Sequence, residues 1–325
     1  MVSLAIANLL FGSVSIPAGQ VLSILTGGAC EKQSWQYIVM ESRLPQTVTA
    51  VLCGASLAVS GLLLQTCFHN PLAGPSILGI TNGASLGVAI VMLICGGVIS
   101  VSLPSGEGGI VGFLAIVIAA FVGSMLIIAL LLVLSSFVKN NLMLLIVGIM
   151  VSYLTSSVVS LCNFFANADN VHSYVMWGMG SFSDVSRQQL PMFSLLCIAG
   201  LLLAFLLVKP LNLLLLGENY ATNLGVNIRR TRRLILVSTG ILTAVVTAFC
   251  GPVAFIGLAV PHIARLLTGT SNHVTLLPAT ILSGAVIALL CNLICILPEN
   301  MIIPLNAVTP IFGAPVIIYI IFRKR

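Results

Sequence analysis

Apolar residues fill this chain in long blocks, broken only by short clusters of Gly, Pro, Asn and charged side chains. Reading the blocks against that punctuation predicts helices at about 44–66, 77–97, 110–138, 142–166, 190–208, 233–250, 252–268, 275–297 and 300–321. Most approach or exceed the ~20 residues that cross a bilayer core of roughly 30 Å. Ahead of them, Met1 to Val14 is apolar but short. A helix of that length rises about 21 Å, so the first span either distorts the bilayer locally or begins upstream. It does not read as a secretory signal, because no basic segment precedes it and no convincing small-residue cleavage site follows. The pattern predicts an all-α, polytopic membrane protein of about ten transmembrane helices. They form a single transmembrane domain over residues 1–325, with a first span short enough to suggest truncation at the N-terminus.

Composition and charge placement agree with this reading. Of the 325 residues 59% are hydrophobic and 6% charged, and the mean hydropathy is +1.18, against roughly a quarter charged in soluble domains. Such a chain meets lipid over most of its surface, and its short connections leave no room for a sizeable soluble domain. Cytosolic enzymes, nucleic-acid binders and peripheral amphipathic proteins are thereby excluded. The net charge of +6 informs by position more than by sum. Alternating sides through ten spans puts Lys139, Lys209, Arg229, Arg230, Arg232, Arg233, Arg265, Arg323, Lys324 and Arg325 on one face, and Lys32, Arg43 and Arg187 on the other. Glu31, Glu41, Glu107, Asp169, Asp184 and Glu299 share that second face, leaving Glu218 alone among the first set. Basic residues mark the cytoplasmic side, so the C-terminus is expected in the cytoplasm of a cell bounded by this inner membrane. Of nine cysteines, Cys53, Cys67, Cys95, Cys162, Cys197, Cys250, Cys291 and Cys295 lie in or at the ends of apolar runs, and Cys30 lies in a polar loop. They are expected to be free packing thiols, since no metal-ligand spacing occurs.

The chemistry that is missing narrows the function. Ion-driven carriers place acids or histidines within the bilayer, yet no acid lies deep in a span, and His69, His172, His262 and His273 all fall near predicted boundaries, where solvated or capping roles suffice. A transporter built this way needs an external energy source. No G-x-x-x-x-G-K-[ST] loop and no H-E-x-x-H occur, so neither nucleotide hydrolysis by that loop nor zinc hydrolase chemistry is predicted; no enzyme activity, cofactor or metal site is expected. The spans do hold small and mildly polar residues. Gly54, Ala58 and Gly61, and then Gly79, Gly83 and Gly87, have spacings that let helix backbones approach closely, within one subunit or at a dimer seam. Ser152, Ser156, Ser160 and Asn163 form a stripe on one helix face. It faces either another helix or a watery path.

The longest connection on the basic side is KPLNLLLLGENYATNLGVNIRRTRRL, from Lys209 to Leu234. Pro210, Gly217 and Gly225 cut it into pieces too short to span, predicting short helices at the membrane surface followed by a basic anchor. A re-entrant turn is the plain alternative. An apolar ridge there would need a groove to fill, as on a soluble motor subunit. Glu218 is read either as a solvated helix-start carboxylate offsetting the local dipole or as the start of a short docking helix in which Ala221 permits close approach and Leu224 is the apolar anchor.

Four segments carry a resemblance. RLPQTVTAVLCGASLAVSGLLLQTCFHNPLAGPSILGITNGASLG (43–87), LGENYATNLGV (216–226), GPVAFIGLAVPHIARLL (251–267) and GAPVIIYII (313–321) resemble, in the right order, the FecCD family of permeases of ATP-driven importers for iron-siderophores, haem and cobalamin. The resemblance implies a type II ABC importer permease fold. It implies a homodimer around a central path, with two cytoplasmic ATPase subunits and a periplasmic or lipoprotein binding protein that delivers substrate. Residues 211–226 would be the coupling helices, so Gly217, Glu218, Ala221, Leu224 and Gly225 inherit contact with the ATPase. Ser152, Ser156, Ser160 and Asn163 would line the path, and Arg43 would help dock the binding protein. Gln46 stands where the family often has a second basic residue, which leaves Arg43 with fewer partners there. The leading expectation is a permease subunit moving a metal chelate, iron-siderophore or haem, with cobalamin as the alternative. A secondary carrier or channel is the different-class reading, and a membrane enzyme the third.

Overall fold

A computed structural model of the chain describes residues 1–12, 14–28, 30–94, 108–138, 141–298 and 303–323. Cys95, Glu107, Lys139, Glu299, Lys324 and Arg325, used in the reading above, lie outside the described residues. Every regular element among the described residues is helical. In chain order they are α1 (Val2–Leu10), α2 (Ala18–Leu25), α3 (Gln33–Cys67), α4 (Ile80–Ile94), α5 (Gly108–Phe137), α6 (Asn141–Phe165), α7 (Ala168–Gly178), α8 (Leu190–Leu206), α9 (Val208–Leu214), α10 (Glu218–Asn223), α11 (Ile228–Cys250), α12 (Ile256–Thr268), α13 (His273–Ile296) and α14 (Leu305–Arg323).

The all-α membrane architecture is as expected, and the count of ten spans is met approximately. Helices α3, α5, α6, α11 and α13 are long and apolar enough to cross a membrane, and α8 with α9, bent by 50°, makes a sixth if counted as one broken span. The remaining apolar segments α4, α12 and Leu305–Tyr319 are shorter. The nine residues of α1 rise roughly 14 Å, well under a full crossing.

Two helix starts that differ from the sequence reading have local reasons, and two further helices were not anticipated. Helix α3 begins at Gln33 rather than near residue 44. Pro45, which lacks an N–H, sits in the first turn of the α-helical stretch Leu44–Cys67, and the π-helical Ile38–Arg43 carries the helix into it. Helix α12 starts at Ile256 because the preceding turn uses left-handed backbone at Gly251 (φ 73°) and Phe255 (φ 65°). Helices α2 and α7 occupy segments whose mixed polarity concealed them.

Helix α3 threads the centre. It packs most extensively on α13 and also on α11, α12 and α8, while α4 pairs with α5 and carries α6 at the rim. Glycines make these seams. A Cβ on Gly54 would stand 2.2 Å from the Gly284 carbonyl oxygen of α13, one on Gly61 1.6 Å from that of Gly257 in α12, and one on Gly87 2.0 Å from that of Ala119 in α5. The small-residue spacing noted in the sequence therefore packs helices within one subunit. Gly79 serves another purpose, supplying the left-handed residue (φ 80°) before α4. The eight described cysteines are free thiols.

Candidate functional site

The connector between α8 and α11 is a built structure. Leu211 and Leu214 of α9 are buried, and the Leu214 carbonyl accepts a hydrogen bond from His69 Nε2 at 2.9 Å. Asn212 ties α9 to the start of α13: its Oδ1 accepts from the His273 backbone N–H (2.7 Å) and from His273 Nδ1 (2.9 Å), and its Nδ2 donates to Asn272 Oδ1 (2.8 Å). His273 Nε2 lies 2.9 Å from Thr66 Oγ1 of α3. His69 and His273 thus act as tethers. Their position at span ends was legible in the sequence, but their partners, distant along the chain, were not.

Gly217 (φ 101°) turns the chain into α10, and Gly225 (φ 86°) turns it out. At that exit the Val226 N–H donates to the Ala221 carbonyl and the Gly225 N–H to the Thr222 carbonyl, both at 2.9 Å, the paired bonds of a Schellman C-cap. Glu218, at the first position of α10, accepts from Arg232 Nη2 at 3.3 Å. Arg232 is itself buried and also reaches the Val138 carbonyl at 3.4 Å. Glu218 therefore pins α10 to α11, an ion pair the sequence reading did not anticipate.

Ala221 is fully buried, which corrects the expectation that its small side chain faces a partner. Its methyl packs inward, within the same cluster as Leu211 and Leu214. The exposed ridge is instead Leu215, Leu216, Tyr220 and Leu224. Leu224 belongs to that exposed ridge, and Gly217, Glu218 and Gly225 hold the ridge in shape.

The stripe on α6 divides. Ser152 donates within hydrogen-bond distance of the Gly148 carbonyl of its own helix (3.0 Å) and the Ile77 carbonyl (3.2 Å), and Asn82 Nδ2 of α4 donates to the Ser152 carbonyl (3.2 Å) and to Ser156 Oγ (3.4 Å). Ser156 and Ser160 are exposed, and Asn163 is half-buried. Steps of four residues advance about 40° each around a helix of 3.6 residues per turn. Ser160 has therefore turned away from the α4 seam that holds Ser152.

On the opposite face Arg43 is buried, with 5% of its surface exposed. Its guanidinium donates to the carbonyls of Leu9 and Leu10 at 2.9 Å and to that of Val14. The docking role expected of it does not fit that commitment: it caps the end of α1. Gln46 is half-buried and donates to Asn292 Oδ1 (3.0 Å), which continues through Asn292 Nδ2 to Asn8 Oδ1 (2.7 Å). Nearby, exposed Arg187 pairs with half-buried Glu41 at 3.1 Å. A pocket of about 580 Å³ opens nearby, walled by Trp177, Phe182, Phe249 and Asp184. Desolvation by the pocket wall pushes the Asp184 carboxyl above its usual range although its edge meets solvent, and a hydrogen bond with Ser181 opposes the shift. Among the described residues no group of three His, Cys, Asp or Glu side chains could hold a metal.

Comparison with known proteins places this architecture. The vitamin B12 import system permease protein BtuC of Klebsiella pneumoniae is 35% identical over 326 residues, covering 98% of this chain and 89% of that protein. Its counterpart in Citrobacter koseri is 32% identical over 299 residues, covering 89% and 84%. A solved structure described as an inward-facing conformation of a metal-chelate type ABC transporter superposes with a TM-score of 0.84 at 29% identity, over 99% of this chain and 96% of that one. The Streptococcus pneumoniae PsaBC structure, at 14% identity and a TM-score of 0.56 over 85% and 90%, shares the fold alone. The model of the FecCD transport family matches residues 1–323, and the chain belongs to that family.

Proposed function

We propose that the chain is the permease subunit of an ATP-driven importer that moves a metal chelate, iron-siderophore or haem, across the inner membrane by alternating access. Two copies enclose the path, two soluble ATPase subunits dock on the connector face in the cytoplasm, where the C-terminus also lies, and a periplasmic or lipoprotein binding protein delivers the cargo to the other face. The chain itself hydrolyses nothing. One observation carries this reading: the connector presents four exposed apolar side chains, Leu215, Leu216, Tyr220 and Leu224, on a frame fixed by two left-handed glycines and the Glu218–Arg232 pair. A rigid apolar ridge outside the spans is unfavourable in water and suits a partner groove. Ser156, Ser160 and Asn163 supply a mildly polar strip for the path, and exposed Arg187 is better placed than Arg43 to meet the binding protein.

The test is Leu224→Asp. Burying a leucine contributes about 1.5–3 kcal/mol, so the variant should lose roughly tenfold or more in ATPase affinity and lose uptake, at unchanged membrane levels of permease. Normal ATPase association and uptake would return the connector to a simple link. A cobalamin cargo is the second reading, favoured by the relatives named for vitamin B12 import. Uptake of cobalamin, and of neither iron chelate, by the reconstituted system would replace the first reading with it.

A further inference from the structure

Beside the connector lies a pocket of about 540 Å³, bounded by the end of α3, the end of α12 and Leu215. A hydrogen-bonded chain forms part of its wall. Arg265 Nη1 donates to Gln65 Oε1 at 2.8 Å and to His262 Nδ1 at 3.4 Å, and Gln65 Nε2 donates to the Leu258 carbonyl at 3.1 Å. His262 Nε2 stands 2.8 Å from the Pro71 carbonyl. A carbonyl only accepts, so His262 carries its proton on Nε2 and offers the lone pair of Nδ1 to the guanidinium. The ring is then neutral, and Arg265 is the charge in the pocket wall.

That charge has no counter-ion among the described residues. The two ion pairs among the described residues are Arg187–Glu41 and Arg232–Glu218. The Nη1 edge of Arg265 is spent on neutral acceptors, while its Nε–Nη2 side makes no hydrogen bond among the described residues. A half-buried guanidinium has given up part of its hydration without compensation, and its fork matches a carboxylate. Around it Leu215 and Leu266 are exposed. Leu215 belongs to both the ridge and the pocket wall, so the two surfaces are continuous.

We propose that this pocket receives an acidic side chain of the soluble partner that docks on the connector, its carboxylate pairing with Arg265 while Leu215 and Leu266 close over the contact. The proposal rests on the reading of the connector as the ATPase-docking face and adds to it a second, electrostatic anchor. A protein carboxylate is favoured over a lipid phosphate because the walls include His69, Asn70, Pro71 and Ser271, polar and turn residues of the short loops between α3 and α4 and between α12 and α13 rather than of an apolar span face.

The experiment uses the assembled transporter in lipid nanodiscs and measures ATPase-subunit affinity for permeases carrying Arg265→Gln, Arg265→Lys, Arg265→Glu and, separately, Leu224→Asp. A charge-assisted hydrogen bond lost from the contact weakens affinity about tenfold to a hundredfold. Arg265→Gln should show that loss, with a weaker deficit at high salt. Arg265→Lys should recover most of the affinity, and Arg265→Glu should be restored by changing one acidic residue on the ATPase docking face to Lys. Unchanged affinity for Arg265→Gln at low salt overturns the proposal. So does a deficit that follows the fraction of anionic phospholipid in the nanodisc and no acidic residue of the ATPase, which would make a lipid headgroup the occupant. If Leu224→Asp releases the ATPase and Arg265→Gln does not, the anchor fails and the ridge stands; the reverse result removes the ridge and keeps the anchor.

Discussion

Arg43 shows how one side chain can look like a surface contact and serve the interior. A short helix leaves its last carbonyls without partners, and the buried guanidinium that reaches Leu9, Leu10 and Val14 satisfies what α1 cannot. Arg43→Met should therefore cost about 2–3 kcal/mol, read as a lower midpoint in thermal unfolding of the detergent-solubilised permease. The binding protein should still associate normally with the folded fraction. Weakened association at unchanged stability would restore the docking role. Ala221 teaches the same lesson from the other side. A large substitution there would overpack the cluster that holds α10, whereas a change at an exposed ridge residue such as Leu224 separates coupling from folding.

At the scale of helices the glycine seams decide the architecture. Gly61→Ala would place a methyl carbon 1.6 Å from the Gly257 carbonyl oxygen, a contact that only separation of α3 from α12 relieves. We expect a loss of about 3 kcal/mol and a sharp fall in monodisperse protein by size-exclusion chromatography. A wild-type elution profile and melting point would show that the seam can open. Much of this level was legible in the sequence: the spacing of Gly54, Ala58 and Gly61 announced close helix contact, and Pro210, Gly217 and Gly225 marked the breaks of the connector where they occur. What could not be read was pairing across the chain. Glu218 and Arg232 are fourteen residues apart but meet only because α10 folds back on α11, and Asn212 finds His273 sixty-one residues on. The start of α3 was misplaced because Pro45 looks like a helix boundary unless a π-helical turn carries the backbone through it.

For the whole molecule, α6 is the least enclosed of the five long spans and α3 the most enclosed. A path between two copies would use such a surface. In a background freed of native cysteines, Ser160→Cys should react readily with a small charged thiol reagent and Ser152→Cys should stay protected, because Ser152 is held in the seam with α4. Equal protection of both in every transport state would assign the strip to packing. The seams around α3 have a mechanical consequence. Where backbone meets backbone there are no rotamers to exchange, so such contacts cannot repack into a second arrangement of similar energy. In the proposed dimer the work of the transport stroke would then fall to rigid displacement of whole helices and tilting of whole subunits, with the body of each copy acting as an unyielding lever.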